Sequence, residues 1–437
     1  MIILGTNSVK DTGYDVANSC RFNSGSSDSL TRTPSSASNR KTFTYSSWVK
    51  RSILTSGDQA IFNAHTDAQN QVDIYFTPAD IMQCTIRISN TAANLVTNRV
   101  FRDPSAWYHI VLAVDTTQGT AANRMKLYVN GVQETSFSEA GYPNQNTDTA
   151  VNNTVQHRIG DSNLETFFNG YIAEAVLIDG QQLAPTDFGE FDEDSGIWKP
   201  IDVSGLTFGN NGFYLDFEDS AALGDDVSGN GNDFTVNNLT AVDQSTDTCT
   251  NNFATINSLA NFYQQSTFAE GNTQVTFASS PYSYNIGTFG VASGKWYWEI
   301  KYVSAGGDPH NLANYGISGK GDTIAADQLL GYNSTDYGIT PGDGGRLYNN
   351  NSATSNSLYS FAIGDILSFA LDLDSGTNTL KFYRNGTEKI TTNISSSPES
   401  GFYFPAFGFA YSAAGSVAEL NFGNPPYAIS SGNTDGN

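Results

Sequence analysis

Residues 111–131 read VLAVDTTQGTAANRMKLYVNG, and they give the clearest indication of fold class. An apolar run typical of a buried strand ends at Asp115, and a polar turn leads to a second strand. Asn130-Gly131 then precedes Val132, and both turn residues tolerate the positive φ of a two-residue hairpin. Residues 369–386, FALDLDSGTNTLKFYRNG, repeat this order of features. Convergent hairpin chemistry and two sandwiches of related plan both explain the repetition.

Short strand-like segments continue outward from both hairpins. TFTYSSWVKRS, QVDIYF and GYIAEAVLID accompany the first, and KWYWEIKYV, NYGIS and SVAELNF accompany the second. Because long segments of helical period are absent, the sequence predicts an all-β chain of antiparallel strands. The predicted division is a sandwich at 1–200, a Gly-, Asn- and Asp-rich connector with a few strands at 201–261, a sandwich at 262–427 and a polar tail at 428–437.

The composition excludes several functional classes. The 437 residues include 21 Lys and Arg against 44 Asp and Glu, a formal net charge of −23. A surface of this sign gives no electrostatic basis for binding nucleic acid or anionic lipid. No apolar run reaches the roughly 20 residues of a membrane helix, and the start MIILGTNSVK lacks the basic segment of a secretory signal. We therefore expect neither membrane insertion nor a signal peptide.

The cysteines are odd in number and widely spaced. Cys20, Cys84 and Cys249 form no CxxC pair and no Cys/His spacing for zinc. We expect them to be small buried apolar residues in a chain made in a reducing compartment, without a disulfide.

The first half carries five ordered motifs: TFTYSSWVKR (42–51), WYHIVLAVD (107–115), KLYVNG (126–131), RIGD (158–161) and FNGYIAEAVLIDG (168–180). Together they resemble the laminin-G-like domains of the concanavalin A-like lectin/glucanase superfamily. This resemblance implies a concanavalin A-like jelly roll. It implies no single activity, because the superfamily includes lectins, adhesion modules and glycosidases.

The second half carries GKWYWEI (294–300), followed by YGIS, LGYN, the hairpin at 369–386 and YFPAFGF. These motifs resemble the SPRY domain and imply a second antiparallel β-sandwich. Members of that family use loops to bind other proteins and are not known as enzymes.

The domain order and the Asn-, Ser- and Gly-rich texture resemble tail-fibre and other virion-surface proteins of marine bacteriophages. That resemblance implies a non-enzymatic virion protein, a tail fibre, appendage or capsid decoration, made in the host cytoplasm. Its implied partners are a host-surface glycan or protein receptor and other virion proteins, with homo-oligomeric assembly supplying avidity. A purely structural virion protein and a polysaccharide-cleaving enzyme are the alternatives.

One acidic segment is a catalytic candidate. EFDED places Glu190, Asp192 and Asp194 at alternate positions, and two carboxyls on one strand face could perform retaining glycoside hydrolysis. The segment lacks β-branched residues between the acids and leads into GIWKP, where the domain is expected to end. We therefore expect a solvated acidic turn and no catalytic residue.

A second acidic segment is a candidate calcium site. Its oxygen donors are Asp225, Asp226, Asn230, Asn232 and Asp233, around two glycines. Ca²⁺ takes six to eight oxygen ligands, so the segment could supply most of a site. The alternative is an Asx-rich turn whose side chains bond their own backbone. No cofactor is required for the expected function, and Ca²⁺ is the single candidate.

Tyrosines in a loop-rich run are the candidate ligand contacts. Tyr332, Tyr337 and Tyr348 lie among Asn, Asp and Gly residues, a setting that suits sugar binding by ring stacking and hydrogen bonding. Their alternative role is to cover the rim of the core. His109 follows Trp107-Tyr108, and the laminin-G-like resemblance implies a structural Trp-His pair there.

Overall fold

The computed structural model describes residues 13–54, 56–263, 265–277, 282–306, 313–321, 329–340, 345–355, 361–409 and 415–427. In this part of the chain the helical elements are four single 3₁₀ turns at Ala121–Asn123, Pro185–Asp187, Ala241–Asp243 and Glu270–Asn272. No helix here has the length and hydropathy that a membrane crossing requires. The chain divides into two compact units, and the boundary lies between Asn252 and Phe253.

The first unit is built from antiparallel strands, which the following list gives in chain order. They are β1 (Ser19–Phe22), β2 (Ser29–Arg32), β3 (Thr42–Arg51), β4 (Gln59–Asp67), β5 (Asn70–Phe76), β6 (Ile81–Ile88), β7 (Thr91–Val100), β8 (Trp107–Asp115), β9 (Met125–Val129), β10 (Val132–Gln133), β11 (Phe137–Ala140), β12 (Gln156–Ile159), β13 (Gly170–Asp179), β14 (Gly189–Phe191), β15 (Trp198–Pro200), β16 (Phe213–Leu215), β17 (Thr235–Asn237) and β18 (Gln244–Ser245).

Two large sheets and one small hairpin result from these strands. The first sheet has the order β10-β9-β8-β3-β13-β1-β18, with β16 beside β13, and the second has the order β11-β7-β6-β5-β4-β12-β2-β17. The hairpin pairs β14 with β15. Alternation explains how the large sheets share a core: Val72, Ile74 and Phe76 of β5 all join the central apolar cluster.

The region predicted as a connector contributes strands to the first unit. β16, β17 and β18 pair with β13, β2 and β1, so residues up to 252 fold with the first sandwich. Buried ion pairs fasten the same region. Lys50 Nζ lies 2.7 Å from Asp247, and Arg21 lies 3.7 Å from Asp243. The structural division at 252 thus differs from the expected boundaries at 201 and 262, because carboxylates of this polar region pair with cations of β1 and β3.

The second unit contains the remaining strands. They are β19 (Ile256–Tyr263), β20 (Thr267–Ala269), β21 (Gln274–Thr276), β22 (Ser283–Gly287), β23 (Lys295–Ser304), β24 (Ala313–Ser318), β25 (Asp336–Thr340), β26 (Arg346–Asn349), β27 (Ser352–Ser355), β28 (Ile366–Asp372), β29 (Thr379–Arg384), β30 (Thr387–Asn393), β31 (Phe404–Phe409) and β32 (Val417–Asn421). The sheet orders are β19-β22-β31-β24-β25-β26-β27 and β20-β21-β32-β23-β28-β29-β30. The predicted polar tail at 428–437 lies outside the described residues.

Aromatic rings pack against one another in the core of the second unit. Trp298 of β23 stacks on Phe369 of β28, with ring centroids 5.1 Å apart, and Phe382 of β29 meets Phe369 edge to face. Such pairs add about 0.5–1.5 kcal/mol beyond the burial of their area. The all-β prediction is confirmed for both units.

The two hairpins that suggested the fold have the same geometry. Asn130 and Gly131 have φ of 48° and 77°, and Asn385 and Gly386 have φ of 47° and 75°, as a type I′ turn requires. The agreement extends to whole sheets. In chain order and in spatial order, β1, β3, β8, β9, β10 and β13 correspond to β21, β23, β28, β29, β30 and β32. This correspondence supports two sandwiches of related plan.

Candidate functional site

A polar cleft lies on the outer face of the second sheet of the first unit. Gln71, Asp73 and Tyr75 alternate along β5 with the core residues, so all three face away from the core. Thr85 and Arg87 of β6 extend this surface. The complete lining is Asp58, Ala60, Gln71, Asp73, Tyr75, Thr85, Arg87, Ser162, Leu164 and Thr166, around a cavity of about 140 Å³.

The loop at 162–166 forms one wall of the cleft. Ser162 Oγ and Thr166 Oγ1 lie 2.6 Å apart in a hydrogen bond that closes this loop. Leu164 projects from it with 72% of its surface exposed. The cleft therefore combines a polar floor with an apolar side chain at its mouth.

Asp73 is the most perturbed acid of the cleft. Burial raises the pKa of Asp73 to about 6, while a hydrogen bond from Asn63 and the charge of Arg87 act in the opposite direction. Asp73 is 7% exposed, so its carboxylate loses charge more readily than that of a surface aspartate when the pH falls. An ionised carboxylate accepts hydrogen bonds only, which suits the hydroxyl groups of a ligand.

An apolar groove lies on the second unit, along β19, β22 and β31. Leu259 and Phe402 are 57% and 47% exposed, and Phe262 and Phe404 are half-buried beside them. Together with Asn257, Ala260, Ile286, Gly321 and Ser400, they line a cavity of about 500 Å³. Exposed apolar side chains gathered in one groove are a common feature of interaction surfaces.

His109 contacts Ser46, an arrangement that resembles part of a catalytic triad. Ser46 Oγ lies 2.8 Å from His109 Nε2, and the Trp198 indole N–H donates to His109 Nδ1 over 3.0 Å. Because Nδ1 accepts, Nε2 of the neutral ring carries the proton and donates to Ser46. The histidine therefore cannot accept the serine proton. Burial also lowers the pKa of His109 to about 3, and Trp48 stacks on the ring. This pair is structural.

Family comparisons agree with the two units. Residues 24–183 match the model of the concanavalin A-like lectin/glucanases superfamily, and residues 295–425 match the model of the SPRY domain. The chain carries a concanavalin A-like domain followed by a SPRY domain. Both families suggest a binding module. SPRY domains are typically non-catalytic protein-interaction modules, whereas the lectin/glucanase superfamily is functionally mixed.

Solved structures resemble parts of the chain at low sequence identity. The human HERC1 SPRY domain is 22% identical, with 34% of this chain and 87% of that chain covered and a TM-score of 0.28. Another human SPRY domain is 18% identical, with coverages of 36% and 94% and a TM-score of 0.29. The heptameric SAP-like pentraxin of Limulus polyphemus is 14% identical, with coverages of 39% and 80% and a TM-score of 0.29. No curated protein matches the chain.

The three candidate tyrosines of the SPRY domain do not share one surface. Tyr337 is 2% exposed and belongs to the core, where its hydroxyl accepts a hydrogen bond from the Ser395 backbone N–H. Its burial favours the alternative role, which is to cover the core, over contact with a ligand. Tyr348 pairs with Gly338 across β25 and β26, which places it on the opposite face from Tyr337. Tyr332 is 43% exposed in the loop before β25.

The candidate calcium residues form a self-bonded turn of the concanavalin A-like domain. Both oxygens of Asp226 accept hydrogen bonds, Oδ1 from the backbone N–H groups of Tyr214 and Ser228, and Oδ2 from the Asn232 N–H and the Ser228 hydroxyl. Asp233 Oδ1 accepts from the Asp226 N–H.

The amides of the same turn point to carbonyl groups. Asn230 and Asn232 both donate to Gly212, and Asp225 lies at the start of the turn. Within the described residues, no group of three or more His, Cys, Asp or Glu side chains has a metal-binding arrangement. This geometry favours the Asx-rich turn, and calcium binding stays a prediction.

The EFDED segment forms the small β14–β15 hairpin. Asp192 Oδ1 accepts from the backbone N–H groups of Asp194 and Ser195 and from the Ser195 hydroxyl. These bonds, with help from Lys199, lower the pKa of Asp192 to about 2. Lys199 Nζ lies 3.3 Å from Glu190 and 3.4 Å from Asp192. Asp192 thus caps a surface turn, and Lys199 pairs with both Glu190 and Asp192.

Cleft residues were missed by the sequence analysis although a signal for them existed. QVDIYF alternates strictly, so Gln71, Asp73 and Tyr75 share one strand face.

Cys20 and Cys84 are buried as expected, whereas Cys249 is only partly buried, and all three thiols are free.

Proposed function

We propose that the protein is a non-enzymatic binding protein whose concanavalin A-like domain binds a glycan in the polar cleft. The observation that carries this proposal is the alternation on β5, which presents an amide, a carboxylate and an aromatic ring side by side. Carboxylate and amide groups fit sugar hydroxyls, and the half-buried Tyr75 ring offers a face for stacking on sugar C–H groups.

A glycan array with the purified full chain tests this proposal. Sugars that bind the parent are titrated against Asp73→Asn and Tyr75→Ala, with Asp148→Asn as the control because Asp148 is an exposed loop acid outside the cleft. We expect the two cleft variants to lose at least tenfold in affinity, about 1.4 kcal/mol, and the control to lose nothing. Equal binding by all four proteins would contradict the assignment of the site.

Protonation gives the cleft a second test. The pKa of Asp73 is about 6, so its carboxylate loses charge as the pH falls from 7 to 5. We expect glycan affinity to fall over this range in the parent and to stay level in Asp73→Asn, which has no charge to lose. A parallel pH response in both proteins would place the titrating group elsewhere.

A second candidate surface is the apolar groove of the SPRY domain, which we propose binds apolar side chains of a neighbouring protein. Leu259 and Phe402 support this role because they would bury substantial apolar area on contact. The double variant Leu259→Ser with Phe402→Ser should lose partner binding while keeping its unfolding midpoint, because both side chains already face water.

Tyr332 and Tyr348 are proposed as additional ligand contacts on the same domain. Both lie near Gly331, whose Cα faces the Tyr348 side chain closely enough that a Cβ would be 2.6 Å from the tyrosine Cβ. If both rings stack on sugar, their joint replacement by Ala should weaken glycan binding. Unchanged binding would assign them to the rim of the core.

The proposed setting is the virion surface of a phage, where the chain would act as a tail fibre, appendage or capsid decoration in several copies. The support is the domain order and the texture of the sequence. Electron microscopy of intact particles labelled with an antibody to this chain tests the setting. Label on the tail or capsid surface is expected, and particles without label would contradict it. Dense packing on the capsid with both candidate surfaces covered would favour a purely structural role.

A further inference from the structure

Three polar side chains meet in the interior of the concanavalin A-like domain, away from the cleft. Lys50 Nζ lies 2.7 Å from Asp247 Oδ2 and 2.7 Å from Asn252 Oδ1. The side chains of Lys50 and Asp247 are 1% and 0% exposed, and Asn252 is 8% exposed. An amine, a side-chain amide and a carboxylate thus share one dry pocket.

Neighbouring groups hold the three side chains in place. The Trp107 indole N–H donates to Asp247 Oδ1 over 3.0 Å, and the Asn252 amide donates to the Ser105 carbonyl over 2.7 Å. The Tyr171 ring centroid lies 5.7 Å from Lys50 Nζ. Aromatic rings therefore exclude water, and hydrogen bonds fix the orientation of both the carboxylate and the amide.

We propose that Lys50 and Asn252 join in an intramolecular isopeptide bond, with Asp247 carrying the proton. The Lys50 Nζ contact to Asn252 Oδ1 places the amine next to the amide carbon, Cγ. Reaction at a bound and oriented pair gains the large rate advantage of proximity. The assignment concerns a covalent modification and is independent of any ligand in the cleft.

The reaction balances without an external reagent. The Lys50 ammonium gives a proton to the Asp247 carboxylate, and the neutral amine attacks Cγ of Asn252. The Nζ–Cγ bond forms, the amide π electrons move to Oδ1, and their return breaks the Cγ–Nδ2 bond. One proton of Nζ moves to Nδ2, which leaves as ammonia, and Asp247 returns its proton to this ammonia. One ammonium ion therefore leaves the pocket, the Asp247 carboxylate is restored, and no group is oxidised or reduced.

The surroundings favour the neutral amine that the attack needs. Burial lowers the pKa of Lys50, although the charge of Asp247 opposes this shift. A desolvated lysine with a lowered pKa is a better nucleophile than a surface lysine. Ser105, which accepts the Nδ2 hydrogen bond, is partly exposed and offers the released ammonia a route to solvent.

The bond would have a clear structural consequence. Asn252 is the last residue of the first unit, and Lys50 lies in the central strand β3. A covalent link between them would fasten the end of residues 198–252 to the sheet that they cover. It would also close a loop of about two hundred residues, which restricts the unfolded chain as other cross-links do.

Mass spectrometry of the full chain tests the proposal. We expect the native protein to be lighter than its sequence by one ammonia, and protease digestion to yield a branched peptide that joins β3 to the segment carrying Asn252. Succinimide formation at an Asn-Gly pair also releases ammonia, but it gives a linear peptide. A mass equal to that of the sequence, or ammonia loss confined to linear peptides, would overturn the proposal and leave a noncovalent anchor.

Variants locate the chemistry. Lys50→Met and Asp247→Asn should have the full mass of their sequences, without loss of ammonia, and should yield only linear peptides. Lys301→Met, at the related strand β23, should retain the branched peptide. Circular dichroism checks that each variant folds. If the two core variants do not fold, the peptide map of the native protein decides the question by itself. A branched peptide in Lys50→Met would contradict the assigned residue.

Discussion

Strands β3 and β23 occupy the same place in sheets of the same strand order, yet their lysines differ in environment. The Lys50 side chain is 1% exposed beside Asp247, whereas the Lys301 side chain is 33% exposed and lies 3.4 Å from Glu419. In the concanavalin A-like domain, residues 198–252 cover the outer face of the first sheet, where their apolar side chains pack on β3, β8 and β13 and their carboxylates pair with cations. A polar segment that covers a sheet thus turns surface charges into buried ones, which then need partners.

Because an unpaired buried charge is costly, the difference between buried and surface cations can be measured as a change in the free energy of unfolding. Arg51, next to Lys50, is 1% exposed and bonds to Asp80 over 3.1 Å. A guanidinium cannot lose its charge in a protein, so its partner matters more than that of a lysine. In the described part of the SPRY domain, the cations of the ion pairs all keep partial contact with water.

The largest effect is expected from Asp80→Ala. This change leaves Arg51 buried without its carboxylate, and breaking such a pair costs about 3–5 kcal/mol. Glu419→Gln is the matched change in the SPRY domain, and we expect it to cost about 1 kcal/mol or less because water can solvate Lys301. Urea unfolding of both variants measures the difference. Equal losses would remove the distinction between buried and surface cations.

Glu174→Gln is expected to stabilise the concanavalin A-like domain above neutral pH. Glu174 lies on a bulge of β13, where Oε2 accepts hydrogen bonds from Tyr214 over 2.8 Å and from Tyr14 over 3.2 Å. Burial is the main cause that raises the pKa of Glu174 from 4.5 to about 7. The folded state therefore binds this proton more tightly than the unfolded state does.

The sign of the pH dependence follows from this raised pKa. The stabilising contribution of the protonated acid is present below about pH 4.5 and is lost as the pH rises through 7, a difference of about 3 kcal/mol at most. Gln cannot ionise, so the unfolding midpoint of the variant should exceed that of the parent at pH 8 and approach it at pH 5. A variant that is less stable at pH 8 would show that the ionised carboxylate is the favourable form.

Asp226→Ala should have a smaller cost, about 1–2 kcal/mol, because it removes the acceptor of several turn hydrogen bonds. Chelation by EDTA should leave the melting temperature of the parent unchanged if the turn alone satisfies its donors. A melting temperature that rises with added Ca²⁺ in the parent, but not in Asp226→Ala, would instead establish the calcium site.

The smallest effect is expected from the acidic hairpin. Replacing Glu190, Asp192 and Asp194 by Gln, Asn and Asn keeps the shape of the turn and most of its acceptors. We expect no measurable change in unfolding midpoint or in glycan binding. Loss of binding would place this hairpin in the recognition surface.

Much of the fold could be predicted because its signals are local. Asn130-Gly131 and Asn385-Gly386 specify their turns by φ preference, and Trp298 lies in an ordered motif. The covering role of residues 198–252 depends on pairing between residues far apart in sequence, such as Lys50 with Asp247. Composition alone indicated a connector with a few strands there, since polar turns and buried ion-pair partners use the same residue types.

The candidate sites show the same limit. Tyr337 alternates with Ile339 in DYGIT, and both are core residues, so the strand pattern already argued against ligand contact. The pattern of β5 likewise places Asp73 and Tyr75 on one face. It does not reveal that the loop at 162–166 forms the opposite wall, because that contact joins segments distant in sequence.

The most direct test of the central claim measures binding and turnover in one sample. The full chain is incubated with each polysaccharide that it binds, and retained binding and released reducing ends are followed together. We predict saturable binding that persists without new reducing ends and that Asp73→Asn weakens at least tenfold. Reducing ends released by the parent and not by the acidic triple variant would show an enzyme in place of a binding protein.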